Sequence, residues 1–93
     1  MLRIQRSGNA RVVFTLIGRI EAQDVKQLQE LLALENPGQP LVLDLREVRL
    51  VNQDAVEFLA HCEAHGIEFE NCPLFIREWI DQDQRRRRRR RTQ

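Results

Sequence analysis

Between residues 11 and 45 two short apolar runs bracket a segment with a helical repeat, and this arrangement constrains the fold more than anything else in the chain. Residues 11–17 (RVVFTLI) are rich in β-branched and aromatic types, which suit a pleated, half-buried surface. Residues 22–34 (AQDVKQLQELLAL) carry the 3.6-residue period, with Val25, Leu28, Leu31 and Leu32 on one face and Lys26, Gln29 and Glu30 elsewhere. Asn36-Pro37-Gly38 stops that helix and turns the chain. Residues 41–45 (LVLDL) then form a short apolar run of the kind found in strands covered on both faces. A strand, a helix and a second strand in this order predict two parallel neighbours joined by a right-handed crossover.

The flanking segments extend the pattern. Residues 2–6 (LRIQR) alternate apolar and polar, and residues 7–10 read as a turn, so an antiparallel hairpin precedes the crossover, with Gly18 closing its second strand. Residues 46–51 (REVRLV) are expected as a loop leading to a second helix at about 53–65. Asn52 suits its N-cap, Asp54 in the first turn complements the helix dipole, and Gly66 suits its C-terminal cap. Ala55, Phe58, Leu59 and Cys62 share the face expected to be buried. Residues 67–70 (IEFE) alternate again as a last strand, and Pro73 opens a third helix at its first position. Phe75, Ile76, Trp79 and Ile80 form the apolar side of that helix, which is expected to fade near Gln84. The order β-β-α-β-α-β-α predicts an α/β domain: a small mixed four-stranded sheet with three helices packed on it.

Ninety-three residues suffice for one such domain, assigned to residues 1–84. That body holds eight basic and fourteen acidic side chains, a net charge of −6. Residues 85–93 begin with seven consecutive arginines and are expected to be a disordered tail, because like charges repel. No apolar stretch approaches the ~20 residues of a membrane span, and the N-terminus lacks the apolar run of a secretory signal, so the expected location is the cytoplasm. In that reducing setting Cys62 and Cys72 are expected as free thiols, and without CxxC spacing they do not suggest zinc. Serine occurs once, at Ser7 in a turn, and no glycine-rich phosphate loop is present. No nucleophile-and-base set emerges, so neither catalysis nor a cofactor is expected.

Three stretches carry a resemblance to a known family. FTLIGRIEA at 14–22 has a strand ending in a Gly-Arg-hydrophobic-acidic turn into the first helix. LVLDLREVRLVNQDAVEFL at 41–59 has an apolar strand ending in Asp-Leu, a spaced Val and then a helix start. The third is the strand at 67–70 followed by Asn71-Cys72-Pro73. Together and in this order they resemble the STAS domain family, of the bacterial anti-sigma-factor-antagonist type, over about residues 2–82. The resemblance implies a protein-interaction module that regulates transcription or signalling by binding a kinase-like anti-sigma partner, or a larger assembly that recruits STAS domains. Members of that type bind through the loop before the second helix and that helix itself. A serine at the helix start is phosphorylated to release the partner, since a dianion changes charge and shape where two surfaces must fit.

Carried over by position, the resemblance places the partner surface on Asp44, Asn52, Gln53, Asp54, Ala55, Val56 and Glu57. The serine position falls on Asp54, and no hydroxyl lies between Thr15 and Thr92, so a phosphorylation switch is not expected at this site. Asp54 reads either as a fixed phosphate mimic or as a carboxylate that complements the helix dipole. Asp44 reads equally as a partner contact or as the cap of a loop amide. His61 and His65, with Glu57 on the same face, have a spacing that can bind metal, but no further ligand is apparent and solvated side chains are expected. Trp79 reads as core or rim packing, or as a partner anchor. Two other roles stay open: a STAS subunit of a lipid-transporting ABC system, and a nucleic-acid-associated protein. The second would act through Arg85, Arg86, Arg87, Arg88, Arg89, Arg90 and Arg91, whose run could equally meet an anionic membrane surface or fold back on the acidic body. Pairing of two copies is also compatible with the sequence.

Overall fold

A computed structural model describes residues 1–8 and 10–91, with residues 88–91 described through their backbone alone. Asn9 in the expected first turn and residues 92–93 of the expected tail lie outside the described residues. The elements run β1 (Leu2–Ser7), β2 (Val12–Ile20), α1 (Ala22–Ala33), β3 (Leu41–Val51), α2 (Gln53–Ala64), β4 (Glu68–Glu70) and α3 (Leu74–Arg91). The four strands form one sheet in the order β1-β2-β3-β4. β1 is antiparallel to β2, while β2, β3 and β4 run parallel. The mixed sheet, the three helices and their order are those the sequence predicts.

The register divides the sheet into two faces. Arg6, Phe14, Leu43 and Phe69 lie in one row across the four strands, and Gln5, Thr15, Asp44 and Glu70 in the next. Alternation therefore turns Val12, Phe14, Leu16, Leu43 and Leu45 to the covered face, where they pack with Leu28 of α1, Ala55, Val56 and Leu59 of α2, and Ile76 and Ile80 of α3. Each fully buried Leu, Ile or Phe contributes roughly 1.5–3 kcal/mol of transfer free energy, so these side chains decide which helix faces turn inward. Val25, Leu31 and Leu32 pack against the same core at its margin, as the α1 period predicts.

Three departures from the sequence reading have physical causes. Residues 46–51 are not a loop: β3 runs unbroken to Val51 and pairs with β2 as far as Ile20↔Val51. Register shifts between Thr15 and Ile17, and again between Gly18 and Arg19, add residues to β3, so its buried positions Leu45, Val48 and Val51 recur every third residue and hide the strand period. Gly18 lies inside β2 rather than ending it, with φ of 109°, and a Cβ there would stand 2.6 Å from the Met1 carbonyl oxygen. Pro73 precedes α3 instead of occupying its first turn, and its carbonyl accepts the N–H groups of Ile76 and Arg77, both at 3.1 Å.

The third helix does not fade at Gln84. Its backbone stays helical to Arg91, where charge repulsion alone predicts an extended tail. Arginine has high intrinsic helix propensity, and Arg87 donates to Asp83 at 2.9 Å one turn earlier, which offsets part of the repulsion. The C-terminal end of α2 is closed by a Schellman arrangement, in which Ile67 N–H reaches Cys62 O at 3.0 Å and Gly66 N–H reaches Glu63 O at 3.1 Å. Gly66 has φ of 89°, which supplies the left-handed residue this cap requires.

Candidate protein-interaction site

At the start of α2 buried and exposed positions adjoin. Val51, Ala55 and Val56 are buried, while Asn52, Gln53 and Asp54 between them are exposed. Asn52 has extended backbone and its Oδ1 accepts the Ala55 N–H at 2.9 Å, satisfying one of the donors a helix start leaves open. Its own N–H donates to Ile20 O at 3.3 Å, which ties the turn to the end of β2. The turn is thus held from both sides by the core and by a backbone bond, and Gln53 and Asp54 project from a rigid support. Asp54 sits in the first turn, where the positive end of the helix dipole favours a carboxylate.

The residues carried over by resemblance do not all meet here. Asn52, Gln53, Asp54 and the half-buried Glu57 share this surface. Ala55 and Val56 do not: both are core residues, 0% and 1% exposed, because helical geometry turns positions 55 and 56 onto the sheet. Asp44 does not either. It lies within β3, in the polar row facing away from the helices, where its Oδ1 accepts from Arg46 N at 3.1 Å and Asn71 Nδ2 at 3.3 Å. Of its two readings, the cap of a backbone amide is the one the geometry supplies.

Other residues join the surface that sequence reasoning did not assign to it. Gln53 Nε2 lies 3.4 Å from both Glu57 Oε2 and Asp83 Oδ1. Arg87 bridges Asp83 at 2.9 Å and Glu57 at 3.6 Å, so this arginine of the run reaches back to α2. The i,i+4 spacing of Asp83 and Arg87 was the signal available for this pair. Gln53, Glu57, Asp83, Arg86 and Arg87 line a small hollow of about 310 Å³. On the other side of Asp54, α1 and α2 enclose a shallow groove of about 480 Å³ with Val25, Lys26, Gln29, Phe58 and His61 along its walls.

The remaining candidates resolve plainly. His61 and His65 stack with ring centroids 4.0 Å apart, and His65 Nδ1 lies 2.8 Å from the His61 carbonyl, to which it can only donate. Among the described residues no three His, Cys, Asp or Glu side chains are grouped so as to hold a metal ion. Both cysteines are free thiols; Cys62 is buried, and burial pushes its thiol up to about 12. Trp79 packs edge-on against Phe75 and is partly exposed, so it belongs to the outer flank of α3 rather than the core. Among the described residues no helix is long and apolar enough to cross a membrane.

Solved structures share this architecture. The anti-sigma factor antagonist SpoIIAA in its unphosphorylated form superposes with a TM-score of 0.64 at 11% identity, over 87% of this chain and 82% of its own. A protein of the DUF3478 family with a SpoIIAA-like fold, from Shewanella loihica PV-4, does so with 0.53 at 16% identity, over 69% of this chain and 56% of its own. The structure of Mglu matches with 0.59 at 23% identity over 77% of this chain, which spans only 19% of the Mglu chain. No protein-family model and no curated protein matches the chain. The architecture is therefore a STAS-like α/β fold. Within that class it resembles the fold of SpoIIAA, here built as a mixed four-stranded sheet with three helices.

Proposed function

We propose that this chain is a non-catalytic protein-interaction module of the anti-sigma-factor-antagonist kind, which docks a kinase-like anti-sigma partner through the start of α2 and is not switched by phosphorylation. The observation that carries the reading is the rigid display of Gln53 and Asp54 on a turn whose neighbours Val51, Ala55 and Val56 are anchored in the core. Asp54 supplies a fixed single charge in a turn with no hydroxyl to modify. Glu57 extends the acidic surface, and the groove between α1 and α2 offers apolar contact from Val25 and Phe58 beside it. A partner presenting a basic group flanked by apolar side chains fits that combination, since charge complementarity sets orientation while apolar burial sets affinity.

The experiment compares the tagged wild-type chain with Asp54→Lys as baits in the source cell, followed by titration calorimetry with the purified partner. A histidine-kinase-type ATPase should be enriched by the wild type and lost with Asp54→Lys, while circular dichroism is unchanged and unfolding shows a loss of no more than about 1–2 kcal/mol, the effect of reversing a charge at the positive end of the helix dipole. Equal binding by both baits would remove the α2 turn as the contact. Recovery of a transporter ATPase instead would transfer the module to an ABC system.

A further inference from the structure

We infer that the outer face of α3 is a docking surface for anionic lipid membranes, built from an apolar turn at its start and the arginines at its end. Leu74, Phe75 and Trp79 are 72%, 37% and 43% exposed, although they are the large apolar residues of a helix whose Ile76 and Ile80 fill the core. Phe75 and Trp79 are one turn apart and meet edge to face, with ring centroids at 6.4 Å and an interplanar angle of 89°. Further along the helix Gln82, Arg85 and Arg86 are exposed, and positions 75, 79, 82 and 86 follow the spacing of a single helical stripe. At 1.5 Å per residue the aromatic pair and Arg86 are separated by roughly 10–16 Å, and the backbone remains helical through Arg91.

The combination matches what a membrane interface offers. Tryptophan and phenylalanine settle at headgroup depth, and arginines add electrostatic attraction to acidic headgroups. Neither signal alone gives stable attachment, and here one helix carries both. Charge points the same way. Residues 1–84 carry a net charge of −6, so an anionic surface repels the body and attracts the chain only at its arginine end. Glu78, exposed beside the aromatic pair, keeps the contact shallow. A nucleic-acid surface fits less well. The edge-to-face packing spends a ring face that a base would need, the apolar cluster lies to one side of the arginines instead of among them, and Leu74 has no face for stacking.

Trp79 is the chain's single tryptophan and reports on this surface directly. The full chain is mixed with phosphatidylglycerol–phosphatidylcholine vesicles and with phosphatidylcholine vesicles, and followed by sedimentation and Trp79 emission. Binding to the anionic vesicles alone, with a blue shift of Trp79 and loss at high salt, is expected. Leu74→Ser with Phe75→Ser should weaken binding about tenfold or more, and Arg85→Gln with Arg86→Gln should do likewise, each with unchanged circular dichroism. Absence of sedimentation with anionic vesicles at low salt would overturn the inference. So would binding without a Trp79 shift and unaffected by Leu74→Ser with Phe75→Ser, which would leave a nonspecific polycation. Tighter binding to a single-stranded oligonucleotide, with Trp79 quenched, would assign the face to nucleic acid. The Leu74→Ser with Phe75→Ser arm leaves the α2 turn untouched, and that turn is tested separately with Asp54→Lys.

Discussion

Arg77 should contribute a measurable, pH-dependent share of the α2–α3 contact. Its guanidinium forks onto the Glu63 carboxylate, with Nη1 to Oε2 at 2.6 Å and Nη2 to Oε1 at 2.7 Å, and reaches Asp81 Oδ1 at 3.0 Å. Gln84 adds a third bond to Glu63 at 3.3 Å. Both side chains are about a third exposed, at 32% and 33%. A desolvated charge-assisted pair is worth ~1.5–3 kcal/mol and a fully exposed one ~0.2–1 kcal/mol, so the coupling here should be about 1 kcal/mol. For a domain of this size that corresponds to a melting-temperature change of roughly 4–8 °C. The hydrogen bond from Arg77 lowers the Glu63 carboxyl below its ordinary value, against the opposing effect of partial burial. A depressed carboxylate stabilises the fold above its unfolded pKa of about 4.3, and that stabilisation disappears as pH falls through the lower folded value. The assay is a double-mutant cycle of Arg77→Met and Glu63→Gln by urea unfolding. Coupling should be constant from about pH 5.5 to 8 and decline at acid pH as Glu63 takes up its proton while the arginine stays charged. A coupling below about 0.3 kcal/mol at pH 7, or one that rises instead of falling as the pH is lowered from 5.5, would refute the reasoning.

Gly18→Ala should destabilise the chain by about 2 kcal/mol or more: the left-handed backbone in mid-strand strains any L side chain, and the methyl meets the Met1 carbonyl oxygen, a backbone acceptor of the Arg19 N–H. Urea unfolding checks this, and a loss below about 0.5 kcal/mol contradicts the strain. Cys62 should resist Ellman's reagent in the native state, because a thiol near 12 is only about one part in ten thousand thiolate at pH 8, whereas half-buried Cys72 should react first. Equal rates for the two thiols in the folded chain would show that Cys62 is not enclosed as described.

The parts of this fold legible in the sequence are those where one period holds. The α1 face of Val25, Leu28, Leu31 and Leu32 is a clean 3.6-residue repeat, and the run at residues 11–17 is rich in β-branched and aromatic types, so both elements and their parallel crossover follow. The Asn52 cap was equally legible, since its chemistry is local. The second half of β3 was not, because bulges change its inward spacing from two to three and leave Arg46, Glu47, Arg49 and Leu50 looking like loop. On α3 the sequence marks Phe75 and Trp79 as apolar but not as exposed: they sit about 100° around the helix from Ile76 and Ile80, and only the position of α2 decides which pair is covered. At the candidate site the same limit applies. Ala55 and Val56 follow Asp54 along the chain but not across the surface, while Asp83 and Arg87 reach it from thirty residues away.

That long-range contact bears on how such a surface can be controlled. The charge of the Asn52–Gln53–Asp54 turn cannot be altered by hydroxyl phosphorylation, since no hydroxyl lies between Thr15 and Thr92. What remains is counter-charge. Arg87, with its side chain 53% exposed, stands 3.6 Å from Glu57 while its Nε is held by buried Asp83, so a cation already sits at the edge of the acidic surface. Glu57 is itself 45% exposed, which makes its contact with Arg87 a solvent-screened one. The contact of Arg87 with Asp83 is shorter and involves a carboxylate 7% exposed, so it is the stronger of the two. The arrangement therefore anchors the arginine on one side and leaves a solvent-screened contact with the acidic face on the other, without any covalent change.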